Sequence, residues 1–139
     1  FDAEYCCAGI DAVKRKIHEI ENNKDATAVE QNLMVTLEVC YEFYLRGFQF
    51  ERMDVLRSQA TRFVPDEEKG TLRPPFVSVA GLGETAALSL AEQRKGKRFI
   101  SIEEVSAACP KVSKTHIEML KNAGAFGDLP ETSQMSLFR

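Results

Sequence analysis

Two glycines flanking one leucine, Gly81-Leu82-Gly83, sit between an apolar approach, Phe76-Val77-Ser78-Val79-Ala80, and an alanine-rich helix start, Glu84-Thr85-Ala86-Ala87-Leu88. A chain can turn this tightly into a helix where positive φ carries no Cβ penalty, which is what glycine supplies. The first N–H groups of the helix then have no intrahelical acceptor. The segment therefore reads as a tight turn into an alanine-rich helix start.

The remaining periodicity agrees with a mainly α fold. Ile10, Val13, Ile17 and Ile20 predict a first amphipathic helix over roughly residues 8 to 22, ended by Asn22-Asn23. Thr27 and Glu30 form a capping-box pattern ahead of a long second helix, whose stripe of Leu33, Leu37, Cys40, Tyr41 and Tyr44 ends at Arg46-Gly47. Thr61 to Pro65 and Thr71 to Arg73 flank the turn Asp66 to Gly70 and predict a two-stranded hairpin. Pro74-Pro75 closes it and marks a boundary. Ser101 and Glu104 repeat the capping-box pattern, Pro110 stops that short helix, and Ser113 caps a last helix carrying Ile117 and Leu120 and ending at Gly124. No internal repeat is evident. The expected organisation is a helical region with a β-hairpin over 1–75, a helical module over 76–127 and a flexible tail over 128–139.

Composition narrows the function. A chain of 139 residues that is 44% hydrophobic supplies one ordinary globular core. It has no run approaching the length of a membrane helix and no secretory segment, and it starts at Phe1 without an initiator Met. These features predict a piece of a soluble cytoplasmic protein. Cys6, Cys7, Cys40 and Cys109 have no metal or redox spacing, so they are expected to behave as small hydrophobes. No nucleophile elbow, phosphate loop or histidine pair occurs, since His18 and His116 fall on separate helices. Glu67-Glu68 and Glu103-Glu104 suit a turn and a helix start. Neither catalytic residue, metal nor cofactor is expected in this chain.

A net charge of −3 excludes a polycation that coats nucleic acid by bulk charge, so any DNA contact must be local. Arg94, Lys95, Lys97 and Arg98 lie within five positions and offer one. Beside them, the segment around Gly81 to Thr85 resembles a helix-hairpin-helix motif. In that motif the amides at the helix start point at one phosphate, which grips duplex DNA without reading its bases. At the other end, Gln134-Met135-Ser136-Leu137-Phe138 is similar to the pentapeptide by which bacterial polymerases hold their ring-shaped sliding clamp. A Gln amide suits the rim of such a cleft, and Leu and Phe suit its apolar floor.

These signals coincide with wider similarity. Asp25-Ala26-Thr27-Ala28, Arg46-Gly47-Phe48, Leu72-x-Pro74-Pro75-Phe76, Gly81-Leu82-Gly83, Lys111-Val112-Ser113-Lys114-Thr115 and the ending Leu129-Pro130-Glu131-Thr132-x-Gln134-x-Ser136-Leu137-Phe138 carry it. Nearly the whole chain resembles the C-terminal region of the PolC-type DNA polymerase III alpha chain, the replicative polymerase of low-GC Gram-positive bacteria. It departs at Ala80, where the family pattern has Pro, and at Met135, where Leu is usual. The resemblance implies that residues 1–75 end a fingers region, that the hairpin half grips new duplex, with Lys111 and Lys114 joining the DNA-binding residues, and that the tail tethers the clamp. It also implies a catalytic palm, with its magnesium, elsewhere in the parent chain. Two other readings use the same features: a DNA-repair or recombination accessory protein with a hairpin and a clamp tail, and a helical protein-interaction module whose glycines only make a turn.

Overall fold

The computed structural model describes residues 1–132 and contains two buried clusters, each built from the helix faces that the periodicity marks. The first gathers Cys6, Val13, Ile20, Leu37, Cys40 and Tyr44. Its helices are α1 (Ala3–Cys6), α2 (Ile10–Glu21) and α3 (Ala28–Leu45). The single expected helix over 8 to 22 is thus α2 alone, with the short α1 before it. Asp2 starts α1 by accepting from the Glu4 N–H at 3.0 Å.

The Thr27 box forms as expected. Thr27 Oγ1 accepts from the Glu30 N–H at 3.1 Å, and the Thr27 N–H donates to the Glu30 carboxylate at 3.3 Å. Two amides with no helical acceptor are thereby satisfied. Tyr44 joins the three helices, its hydroxyl donating to the Cys6 carbonyl at 2.7 Å and accepting from the Gly9 N–H at 3.3 Å. Burial pushes its phenol up to about 12. Cys6, Cys40 and Cys109 are buried free thiols.

The hairpin acquires a third strand. β2 (Val64–Asp66) pairs antiparallel with β3 (Thr71–Arg73), and β1 (Gln49–Phe50) adds to the other edge of β3 in parallel, giving the order β1-β3-β2. Two residues of strand carry no readable alternation, and a parallel partner is set by long-range pairing. An isolated hairpin is marginal. The extra strand and the Arg73 to Glu51 ion pair, 2.7 Å, hold this one.

The second cluster runs from Met53 through Val55, Ala60, Phe76, Leu82 and Leu90 to Leu120 and Phe126. Its elements are a 3₁₀ turn (Phe76–Ser78), α4 (Glu84–Gln93), α5 (Ile102–Ala108) and α6 (Lys114–Asn122). Residues 53–60, expected in the N-terminal region, share this cluster. Their backbone joins it too: Val55 N–H donates to the Ala125 carbonyl at 2.8 Å, and Phe76 and Val77 donate to the Gln59 and Ala60 carbonyls at 2.9 and 3.1 Å. Ser101 caps α5 through the Glu104 N–H at 3.2 Å. The box is one-sided, because the Glu104 carboxylate reaches past Ser101 to the Ile100 N–H at 3.0 Å.

Candidate nucleic-acid interface

Gly81 and Gly83 have φ of +87 and +78. A Cβ on Gly81 would sit 3.2 Å from the Met119 Cε, so the turn also lies close against α6. Gly83 faces open space. Leu82 between them is only 2% exposed, and its N–H closes the turn on the Val79 carbonyl at 3.1 Å. Gly83 is the N-cap of α4 and has no side chain to offer. Ala87 is the first residue of α4 to reach a backbone carbonyl, that of Gly83 at 3.2 Å. The amides of Glu84 and Thr85 therefore open outward on an exposed turn, at the positive end of the helix dipole.

A second turn with the same hydrogen-bond spacing, though without positive φ, follows 30 residues later. Val112 N–H closes on the Cys109 carbonyl at 2.9 Å, as Leu82 does on Val79. Ile117 donates to Ser113 at 3.0 Å as Ala87 does to Gly83, and Leu120 and Leu90 take equivalent buried places. The internal repeat that is not evident in the sequence is thus present in the fold. It escapes detection because Lys111-Val112-Ser113 replaces Gly81-Leu82-Gly83, leaving only one apolar residue and one cap in common. A cap followed by apolar residues four and seven positions on, Gly83-Ala87-Leu90 and Ser113-Ile117-Leu120, is the signal that could have found it.

The two turns differ in chemistry. Ser113 Oγ takes the His116 N–H at 3.1 Å, and His116 Nδ1 accepts from the Ser113 N–H at 3.2 Å. The second turn therefore satisfies the Ser113 and His116 amides by side-chain capping, while the first-turn amides of Lys114 and Thr115 stay as open as those of Glu84 and Thr85. What it adds is charge, since Lys111 and Lys114 are exposed on either side of the cap.

Three of the four basic residues after α4 are exposed: Lys95, Lys97 and Arg98. Lys95 pairs with Glu92 at 2.9 Å, a surface contact worth at most about 1 kcal/mol and readily exchanged for another anion. Arg94 behaves differently. Its Nη1 donates to the Val55 carbonyl at 3.1 Å and to the Ser58 carbonyl, and its guanidinium lies 5.7 Å from the Phe76 ring centroid. Burial lowers its pKa from the usual arginine value. Arg94 thus fastens residues 55–58 to the hairpin through Nη1. The sequence places it with its neighbours because charge spacing does not reveal which way a helix C-cap residue turns.

Removing that guanidinium leaves the buried Ser58 segment without donors. Arg94→Ala should lower stability by about 2–3 kcal/mol, read as the midpoint of chemical unfolding, whereas Lys97→Ala should change it by less than about 0.5 kcal/mol.

Among the described residues no three histidine, cysteine or acidic side chains converge as metal ligands. A cleft of about 610 Å³ opens between α1 and α6; its lining includes Asp2, Glu4, Cys7, Glu51, Arg52 and Asn122, and burial pushes the Cys7 thiol up to about 12. The arrangement is suited to holding an anionic backbone. The tail residues Gln134, Met135, Ser136, Leu137 and Phe138 lie outside the described residues.

The helix-hairpin-helix motif family matches residues 47–135, which takes in both turns and the loop that Arg94 fastens. The chain belongs to the helix-hairpin-helix family. The match starts near β1, in accord with residues 53–60 sharing the core of the helix-hairpin-helix module. The chain is also similar along its length to PolC-type DNA polymerase III proteins. It is 44% identical to that of Caldanaerobacter subterraneus and 43% to that of Bacillus cereus, each over 139 residues. Against that of Thermotoga maritima it is 39% identical over 138 residues. Each match covers 99% of this chain and 10% of the relative, so the chain spans about a tenth of the length of the curated relatives it matches.

Proposed function

We propose that this chain is the C-terminal, duplex-gripping and clamp-docking segment of a PolC-type replicative DNA polymerase. The observation that carries the duplex reading is the outward-facing amides of Glu84 and Thr85, released by a turn that only Gly81 and Gly83 can make. Those amides hold one phosphate, and Lys95, Lys97, Arg98, Lys111 and Lys114 hold its neighbours by charge. Arg94 supports the site from behind. Because every contact goes to the backbone, binding is independent of sequence, as a machine that moves along DNA requires.

The similarity to PolC-type polymerases supports the rest of the reading. The chain works within a longer cytoplasmic polymerase whose palm and magnesium ions lie outside it. Gln134 to Phe138 bind the sliding clamp. No described helix is long and apolar enough to cross a membrane.

Two measurements test this. Duplex affinity should fall with salt with a log–log slope of about −3 to −4.5, from three to five phosphates neutralised, and should be the same for unrelated sequences. A slope near zero, or a strong sequence preference, would remove the backbone-gripping reading. In primer extension with magnesium and nucleotides the isolated chain should give no product, and reproducible extension would contradict the placement of the palm elsewhere.

A further inference from the structure

Leu129, Pro130 and Glu131, read from sequence as the start of a periodless tail, are fastened to the module. Leu129 packs against the second cluster and its N–H donates to the Phe126 carbonyl at 3.1 Å. The first amides of α5 are satisfied by this segment, Ile102 N–H donating to the Pro130 carbonyl at 2.9 Å and Glu103 N–H to the Glu131 carbonyl at 3.0 Å. The Glu131 carboxylate pairs with Lys121 near the end of α6.

The position of this fastening is informative. α5 and α6 are joined by the second hairpin turn, so the start of α5 and the end of α6 lie at the opposite end of the pair. Helix rise over seven and nine residues separates the two ends by about 10–13 Å. Lys111 and Lys114, beside that turn, are thus at one end of the α5–α6 pair and the fastening at the other. We propose that Leu129, Pro130 and Glu131 form a fixed root for the clamp-binding peptide, so that the module grips duplex and clamp together at a set distance. The inference rests on the clamp reading of Gln134 to Phe138. From the root, only about 11 Å of chain can separate the Cα atoms of Glu131 and Gln134. A short tether on a fixed root gives the peptide a high effective concentration beside a ring already threaded on the same duplex.

Amide exchange in the 139-residue chain tests the root without the clamp. Ile102 and Glu103 should exchange at least tenfold more slowly than Glu84 and Thr85, which occupy the same first-turn positions of α4 without an acceptor. Equal rates would overturn the root. A second test inserts twelve Gly/Ser residues after Thr132, lengthening the span from Glu131 to Gln134 from three residues to fifteen. Affinity for the clamp without DNA should be unchanged, whereas affinity for a clamp threaded on duplex should fall about tenfold, as the −3/2 power of tether length requires. Equal affinity of both chains for the threaded clamp would overturn the coupling. An intact chain that does not bind the clamp even without DNA removes the clamp reading, and with it the coupling, while the exchange rates still judge the root.

Discussion

Gly83→Val should abolish measurable duplex binding while leaving helix content unchanged. At φ +78 and ψ 157, Gly83 occupies a region of backbone space that is almost closed to residues with a Cβ. Nothing stands within 4 Å of where that Cβ would be, so the penalty comes from the backbone itself and not from a clash. A β-branched side chain should cost about 1–3 kcal/mol if the turn is kept. Gly83 itself has no packing to enforce that conformation, so the backbone relaxes there, and the Glu84 and Thr85 amides no longer point to a common position. The buried faces of α4, Ala86, Ala87 and Leu90, are untouched, so circular dichroism should be preserved. Duplex affinity should drop by more than tenfold at low salt. Unchanged affinity would assign the turn to structure alone and leave the lysines as the whole interface.

Leu137→Ala with Phe138→Ala should remove most of the affinity for the sliding clamp. A five-residue peptide has few anchors, and its binding strength is expected near micromolar, about 8 kcal/mol. Full burial of each of these side chains is worth about 1.5–3 kcal/mol, so losing both should weaken the complex by a hundredfold or more. Duplex binding by the hairpins should not change, because Leu137 and Phe138 are not among the proposed duplex contacts. Titration of the double variant against the purified clamp decides the matter, and near-normal affinity would place the clamp contact elsewhere in the chain.

Features that depend on residues within one helical turn of each other were legible in the sequence. The Thr27 box, the Ser113 cap and the Gly83 start of α4 lie where propensity and capping chemistry place them, because each is decided by bonds between positions no more than four apart. The same holds for the buried stripe of Leu37, Cys40 and Tyr44, which follows from helical period alone. Tertiary structure decided the rest. Arg94 carries the same charge and spacing as Lys95 and Lys97, and only the nearness of the Val55 and Ser58 carbonyls turns it inward. Residues 53–60 join the hairpin module through backbone bonds from Val55 to Ala125 and from Phe76 and Val77 to Gln59 and Ala60, contacts between segments that no local pattern relates. The second hairpin is a repeat in hydrogen bonds and burial rather than in residues, since Ser113 with His116 supplies a side-chain cap where Gly83 has no side chain to offer. Glu131 fixes the tail root because α5 has amides in need of carbonyls, and which carbonyls fill that need is settled only when the chain folds back across the start of α5.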